Sequence, residues 1–104
     1  MPYLLADETS ASVNSASETT LVSYTGDGTK TLAGFFARGP VSAEYRLYVG
    51  STRLLTYVTH TADQLAYVVL PKGVPIANGT TVYLKVYHTY GSAQTFYGSL
   101  LEGN

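Results

Sequence analysis

The chain holds no cysteine, no tryptophan, one methionine and only two histidines in 104 residues. The missing thiols exclude a disulfide framework, a thiolate zinc site and a cysteine nucleophile, and they leave the redox compartment open. Charge is equally scarce, with six Lys and Arg against seven Asp and Glu and a formal net charge of -1. Phosphate backbones need a basic face, so nucleic acid is not an expected partner. No apolar run approaches the roughly 18 residues a membrane span requires, so a membrane is not expected either. Met1-Pro2-Tyr3-Leu4-Leu5, followed by Ala6-Asp7-Glu8, lacks the basic flank and the apolar segment of about seven residues or more that mark a secretory signal. The mature chain is therefore expected to start near Met1.

What is present is 45% hydrophobic and unusually rich in tyrosine, with ten Tyr against three Phe. A domain of this size buries roughly 65% of the surface its unfolded chain exposes, so association with another copy would add usefully to stability. Thr9 to Ser17 are small and polar and cannot offset the entropy of ordering. This divides the chain into an N-terminal arm over residues 1–17 and a β-sandwich domain over residues 18–104. The apolar triplet Tyr3, Leu4 and Leu5 would act as a hook docking on a neighbouring subunit, or else as a short edge strand of its own sheet.

From Glu18 onward the hydrophobic period is two, and Gly, Pro and Asn punctuate it at intervals of roughly 8 to 12 residues. The expected strands are Thr19 to Thr25, Thr31 to Arg38, Ala43 to Val49, Thr52 to His60, Leu65 to Leu70, Thr80 to Tyr90 and Gln94 to Leu101. Gly50-Ser51 suits a type II′ turn joining two of them, pairing Tyr48 with Arg53, Leu47 with Leu54 and Tyr45 with Thr56. Ala43, Tyr45, Leu47 and Val49 would then line the core, leaving Glu44, Arg46, Tyr48, Arg53, Leu55 and Tyr57 on the other face. Val82, Leu84 and Val86 alternate with Tyr83, Lys85 and Tyr87 in the same way. Asn78-Gly79 reads as a hairpin turn. Short strands without helical spacers predict an all-β, antiparallel two-sheet β-sandwich, with a jelly roll favoured over an immunoglobulin-like topology.

Catalytic chemistry finds little support. His60, Asp63 and a serine could form a triad on paper, but no Gly-x-Ser-x-Gly elbow precedes a helix, and His60-Thr61-Ala62-Asp63 reads as a strand end and turn in which Asp63 bonds its own backbone. His88 continues the Val82, Leu84, Val86 face, and His60 with His88 would lack a third metal ligand of defined spacing. Gly26-Asp27-Gly28 offers one carboxylate where a calcium loop needs several. Paired acids suited to glycoside hydrolysis are not evident, since Glu18, Glu44 and Glu102 lie on separate expected strands or ends. No catalytic residue, cofactor or metal site is expected, and the chain is read as non-enzymatic.

The tyrosines remain. Tyr offers a large contact area with a polar tip and few rotatable bonds, which concentrates it where surfaces meet. Tyr48, Tyr57, Tyr83 and Tyr87, with Arg46, Arg53 and Lys85 among them, suggest a protein contact surface. The alternatives are a cross-strand ladder within one subunit, or a sugar-stacking platform, which the absence of Trp disfavours.

Four segments carry a resemblance: Glu18-Thr19-Thr20-Leu21-Val22-Ser23-Tyr24-Thr25, Gly28-Thr29-Lys30-Thr31-Leu32, Ala43-Glu44-Tyr45-Arg46-Leu47-Tyr48-Val49-Gly50 and Gly79-Thr80-Thr81-Val82-Tyr83-Leu84-Lys85-Val86. Over about Glu18 to Leu101 the chain resembles the small β-sandwich virion proteins of tailed bacteriophages, head decoration (cement) proteins especially. The resemblance implies a homo-oligomer, a trimer, that sits on the capsid surface of the virion, binds the major capsid protein and stabilises the shell. Tyr3, Leu4, Leu5, Arg46, Tyr48, Arg53, Tyr57, Tyr83 and Tyr87 are the expected interface residues. Two rival readings are a receptor- or carbohydrate-binding module of a phage tail fibre, which predicts an open aromatic site, and a small hydrolase, which predicts a pocket joining His60 or His88 to an acid.

Overall fold

Two four-stranded antiparallel sheets lie face to face in the computed structural model, which describes residues 3–103 with the Tyr3 side chain outside that description. Met1, Pro2 and Asn104 lie outside the described residues. The strands are β1 (Tyr3–Val13), β2 (Thr19–Thr25), β3 (Thr31–Arg38), β4 (Glu44–Val49), β5 (Thr52–Val58), β6 (Ala66–Pro75), β7 (Thr81–Tyr87) and β8 (Gln94–Glu102). One sheet has the order β1-β8-β3-β6 and the other β2-β7-β4-β5. The chain therefore changes sheets at every connection except the β4–β5 hairpin. No helix among the described residues is long and apolar enough to cross a membrane.

The alternation that predicts the strands also builds the core. Leu32, Phe35 and Ala37 of β3, Tyr45 and Leu47 of β4, Val82, Leu84 and Val86 of β7, and Phe96 and Leu100 of β8 are buried between the sheets. Three rings run through its centre, with Phe35 to Tyr45 at 6.4 Å and Tyr45 to Phe96 at 6.2 Å between centroids. Such aromatic contacts add to what area burial alone contributes. His88 lies fully within this layer, its ring 5.4 Å from that of Phe96. Its Nε2 lies 2.7 Å from the Val13 carbonyl, and its Nδ1 accepts from the Tyr90 amide at 3.1 Å. These partners fix the Nε2–H tautomer and make His88 a latch between β1 and the β7–β8 connection.

All four border strands are irregular. On β5 one step of β4, from Leu47 to Tyr48, corresponds to two, from Leu55 to Arg53, so Leu54 is the extra residue of a bulge. Leu21 is the extra residue on β2. β1 shifts register between Leu4 and Ala6 and again between Ala6 and Thr9. On β6 the five steps from Val69 to Val74 face only the two from Gly34 to Leu32. Bulges of this kind misalign the free backbone groups of an edge.

Several expectations change here. Residues expected as an arm outside the sandwich are largely strand, because Thr9 to Val13 pair with Gly98 to Gln94 and order themselves through the ladder of β8 rather than by side-chain burial. Tyr3, Leu4 and Leu5 belong to the same edge strand. The Leu54 bulge replaces the Leu47–Leu54 and Tyr45–Thr56 pairs with Leu47–Leu55 and Tyr45–Tyr57, while the Tyr48–Arg53 pair stands. Asn78-Gly79 joins β6 to β7 across the two sheets, with the Gly79 amide bonded to the Gly26 carbonyl, so it is a turn but not a hairpin.

Candidate functional site

The outer face of the β2-β7-β4-β5 sheet carries the tyrosines and cations singled out in the sequence. The ladders line up Tyr83 with Tyr48 and Lys85 with Arg46, and Tyr87 with Glu44. Glu18, at the mouth of β2, ties this surface together. Its Oε2 accepts from Arg46 Nη1 at 2.7 Å and from the Tyr48 hydroxyl at 2.9 Å, and Lys85 Nζ lies 3.6 Å from its Oε1. Arg46 Nε also donates to Glu44 Oε1 at 2.8 Å. Burial alone would push the Glu18 carboxyl upward, but the hydrogen bonds from Arg46 and Tyr48 and the charge of Lys85 outweigh it and hold the group below its ordinary value.

Cations cap the rings of the same face. The Arg46 guanidinium sits 4.7 Å from the Tyr87 centroid, and Lys85 Nζ sits 4.7 Å from Tyr48 and 5.2 Å from Tyr83. Arg53 reaches the Tyr48 hydroxyl through Nη2 at 3.2 Å. Each of these groups thus finds its partner inside one protomer, which corresponds to the intramolecular ladder among the alternatives. Tyr57 does not join them. The Leu54 bulge turns Tyr57 and Leu55 to the inner side, where both lie against the core.

The other sheet presents a different surface. Its register places Leu4, Leu101, Gly34 and Val69 in one row across all four strands, and Ser99, Phe36 and Tyr67 in the next. Leu4, Tyr67 and Val69 are 54%, 53% and 49% exposed. Phe36 and Tyr67 meet edge to face at 6.0 Å. Gly34 sits in the middle of the first row, and a Cβ there would fall 1.9 Å from the Val68 carbonyl oxygen. Leu4, Asp7, Glu8, Phe36, Ser99 and Leu101 surround an open depression of about 290 Å³. A polar row follows, where Arg38 lies 3.6 Å from Glu8 and 4.2 Å above the Tyr97 ring.

Of the nine expected interface residues, Arg46, Tyr48, Arg53, Tyr83 and Tyr87 share the first surface, and Leu4 belongs to the second. Leu5 is half-buried against the core, and Tyr3 pairs through its backbone with Glu102. Phe36, Tyr67, Val69 and Leu101 were not singled out. For Tyr67 and Val69 the signal is the unbroken apolar run Ala66-Tyr67-Val68-Val69-Leu70, which cannot place all its side chains on one side of a strand.

The chemistry-bearing residues stay apart or are already engaged. His60 is exposed in the β5–β6 connection, where the Gln64 side chain, rather than Asp63, accepts from its backbone amide at 2.9 Å. Asp27 accepts from the Thr29 amide at 2.9 Å, closing the expected turn. A cleft lined by Ser42, Glu44, Thr59 and His88 does bring an imidazole near an acid. Both ring nitrogens are occupied, however, and Glu44 is held by Arg46. Among the described residues no group of three or more His, Cys, Asp or Glu gathers as a metal site.

Comparison with protein-family models, with curated proteins and with solved structures finds no match to this chain.

Proposed function

We propose that this chain is a non-enzymatic structural protein of a bacteriophage virion, a decoration or cement protein that self-associates as a trimer and stabilises the capsid by binding the major capsid protein. The observation that carries the reading is the apolar strip of Leu4, Phe36, Tyr67 and Val69 on the outer side of the β1-β8-β3-β6 sheet. Contiguous apolar surface rimmed by polar groups marks an interaction site, and here Asp7, Glu8 and Arg38 form part of that rim. The face assigned to the shell is therefore this one, while the tyrosine and arginine ladder serves to stiffen the sheet on the opposite side. The strand orders β1-β8-β3-β6 and β2-β7-β4-β5 support the jelly-roll form of the sandwich, because all but one connection passes between the sheets.

The tail-fibre reading is less well supported. The open cleft of about 370 Å³ beside Arg38, Asp63 and Tyr97 has one ring, and Arg38 already covers a face of it. A sugar would have to displace that guanidinium to stack.

The test is co-sedimentation with phage shells stripped of their decoration protein. Wild-type protein saturates the shells, whereas Tyr67→Ser with Val69→Ser, both on exposed positions, keeps the fold by circular dichroism and loses at least tenfold in occupancy. Unchanged occupancy of the double variant overturns the assignment of this face.

A further inference from the structure

β1 is long, and most of its side chains are small or polar. It is a border strand whose Leu4, Asp7, Glu8, Thr9, Ser10 and Ser12 are all exposed, and Val13 is the one fully buried apolar residue among its described side chains. Two register shifts interrupt its pairing with β8. Polar strands set their register poorly, because a slip moves few apolar groups out of the core. Near the shifts, an open depression of about 290 Å³ lies beside Leu4, between it and Phe36 and Leu101.

The connection to β2 adds a second observation. Ala16 takes φ 57°, the left-handed region that an alanine side chain disfavours. It is held there by its amide donating to the His88 carbonyl at 2.7 Å, while the His88 ring binds the Val13 carbonyl immediately upstream. The same histidine therefore pins both sides of a short, strained hinge. Short hinges under strain favour the exchange of a terminal element between identical chains, because an open hinge relaxes while every other contact is remade with the neighbour.

We infer that β1 is a donated strand: in the assembled protein, residues 3–13 of one copy pair with β8 of the next, and Val13 binds the partner subunit's His88. The inference rests on the proposed self-association and names its means. Exchange in one rotational direction closes a ring, so it accommodates the trimer. It also needs no straight free edge, since the donated strand enters a slot that already exists.

The experiment uses the absence of cysteine. Ser12 and Thr95 are directly opposed on β1 and β8 and both are exposed. Opposed residues of an antiparallel pair come close enough for a disulfide. Oxidised Ser12→Cys/Thr95→Cys protein, run on a denaturing gel without reductant, is expected to show covalent dimers and trimers that reductant collapses. Crosslinking confined within single chains, in a protein that sediments as an oligomer, overturns the exchange and leaves self-association standing. A protein that sediments as a monomer at every concentration overturns both. Ala16→Gly supplies a second measurement should the double variant fail to fold. Relieving the hinge should raise the concentration at which the oligomer forms by about tenfold, and an unchanged midpoint counts against exchange.

Discussion

Replacing Tyr45 with Phe should make this protein more stable, not less. Tyr45 is fully buried between the sheets, packed on Phe35 and Phe96, and its hydroxyl has no hydrogen-bond partner among the described residues. An unpaired buried hydroxyl costs about 1–3 kcal/mol relative to water. Removing the oxygen keeps the ring contacts and loses only the packing of one atom, so the expected gain is about 1 kcal/mol. For a domain of this size that raises Tm by roughly 4–8 °C. Burial also pushes the phenol from 10.0 up to about 12. Between those two values the unfolded chain gives up its proton while the folded chain keeps it, so stability falls as pH rises through this window. At pH 11 the wild type should lose about 1 kcal/mol through this group, a loss the Phe variant escapes. Urea unfolding of both proteins at pH 8 and pH 11 measures the two effects. A Phe variant that melts below wild type at pH 8, or a difference that does not widen at pH 11, would refute the argument.

Two further substitutions probe the sheets. Glu18→Gln should flatten the acid limb of the stability profile: the folded carboxyl lies below 4.5, so its contribution is present above that value and disappears as pH falls further. Because the group is only partly shielded, the effect should not exceed about 0.5–1 kcal/mol, read from urea midpoints at pH 6 and pH 2.5. Gly34→Ala and Gly50→Ala both place a side chain on a positive φ, at 150° and 62°. Gly50 has open space around it and should lose about 1 kcal/mol, whereas Gly34 would collide with a backbone carbonyl and should lose at least 3 kcal/mol or fail to fold. Equal losses in thermal melts would show that the close approach at Gly34 is not rigid.

The alternation of apolar residues located the strands well. Thr19–Thr25 and Thr31–Arg38 agree at both ends, and the Gly50-Ser51 turn is where its residues place it. What alternation cannot register is an inserted residue. Leu54 shifts β5 by one position and moves Tyr57 from the outside to the core, although nothing in Thr-Arg-Leu-Leu-Thr-Tyr-Val announces the bulge. β1 was obscured for a different reason: its side chains are too small and polar to look like a strand, and its order comes from backbone bonds to β8. The tyrosines are conspicuous in the sequence, yet Glu18 joins their face from outside any strand and satisfies it within the chain. The apolar strip arises only when four distant segments align, and so no single segment displays it.

The four irregular borders have a consequence for crowding. Many copies gathered on a common support reach local concentrations at which proteins with straight β borders knit into fibres. Here an approaching backbone would find donors and acceptors out of step along β1, β2, β5 and β6 alike. Dense gathering should therefore end in discrete particles, because backbone pairing does not extend from one of them to the next.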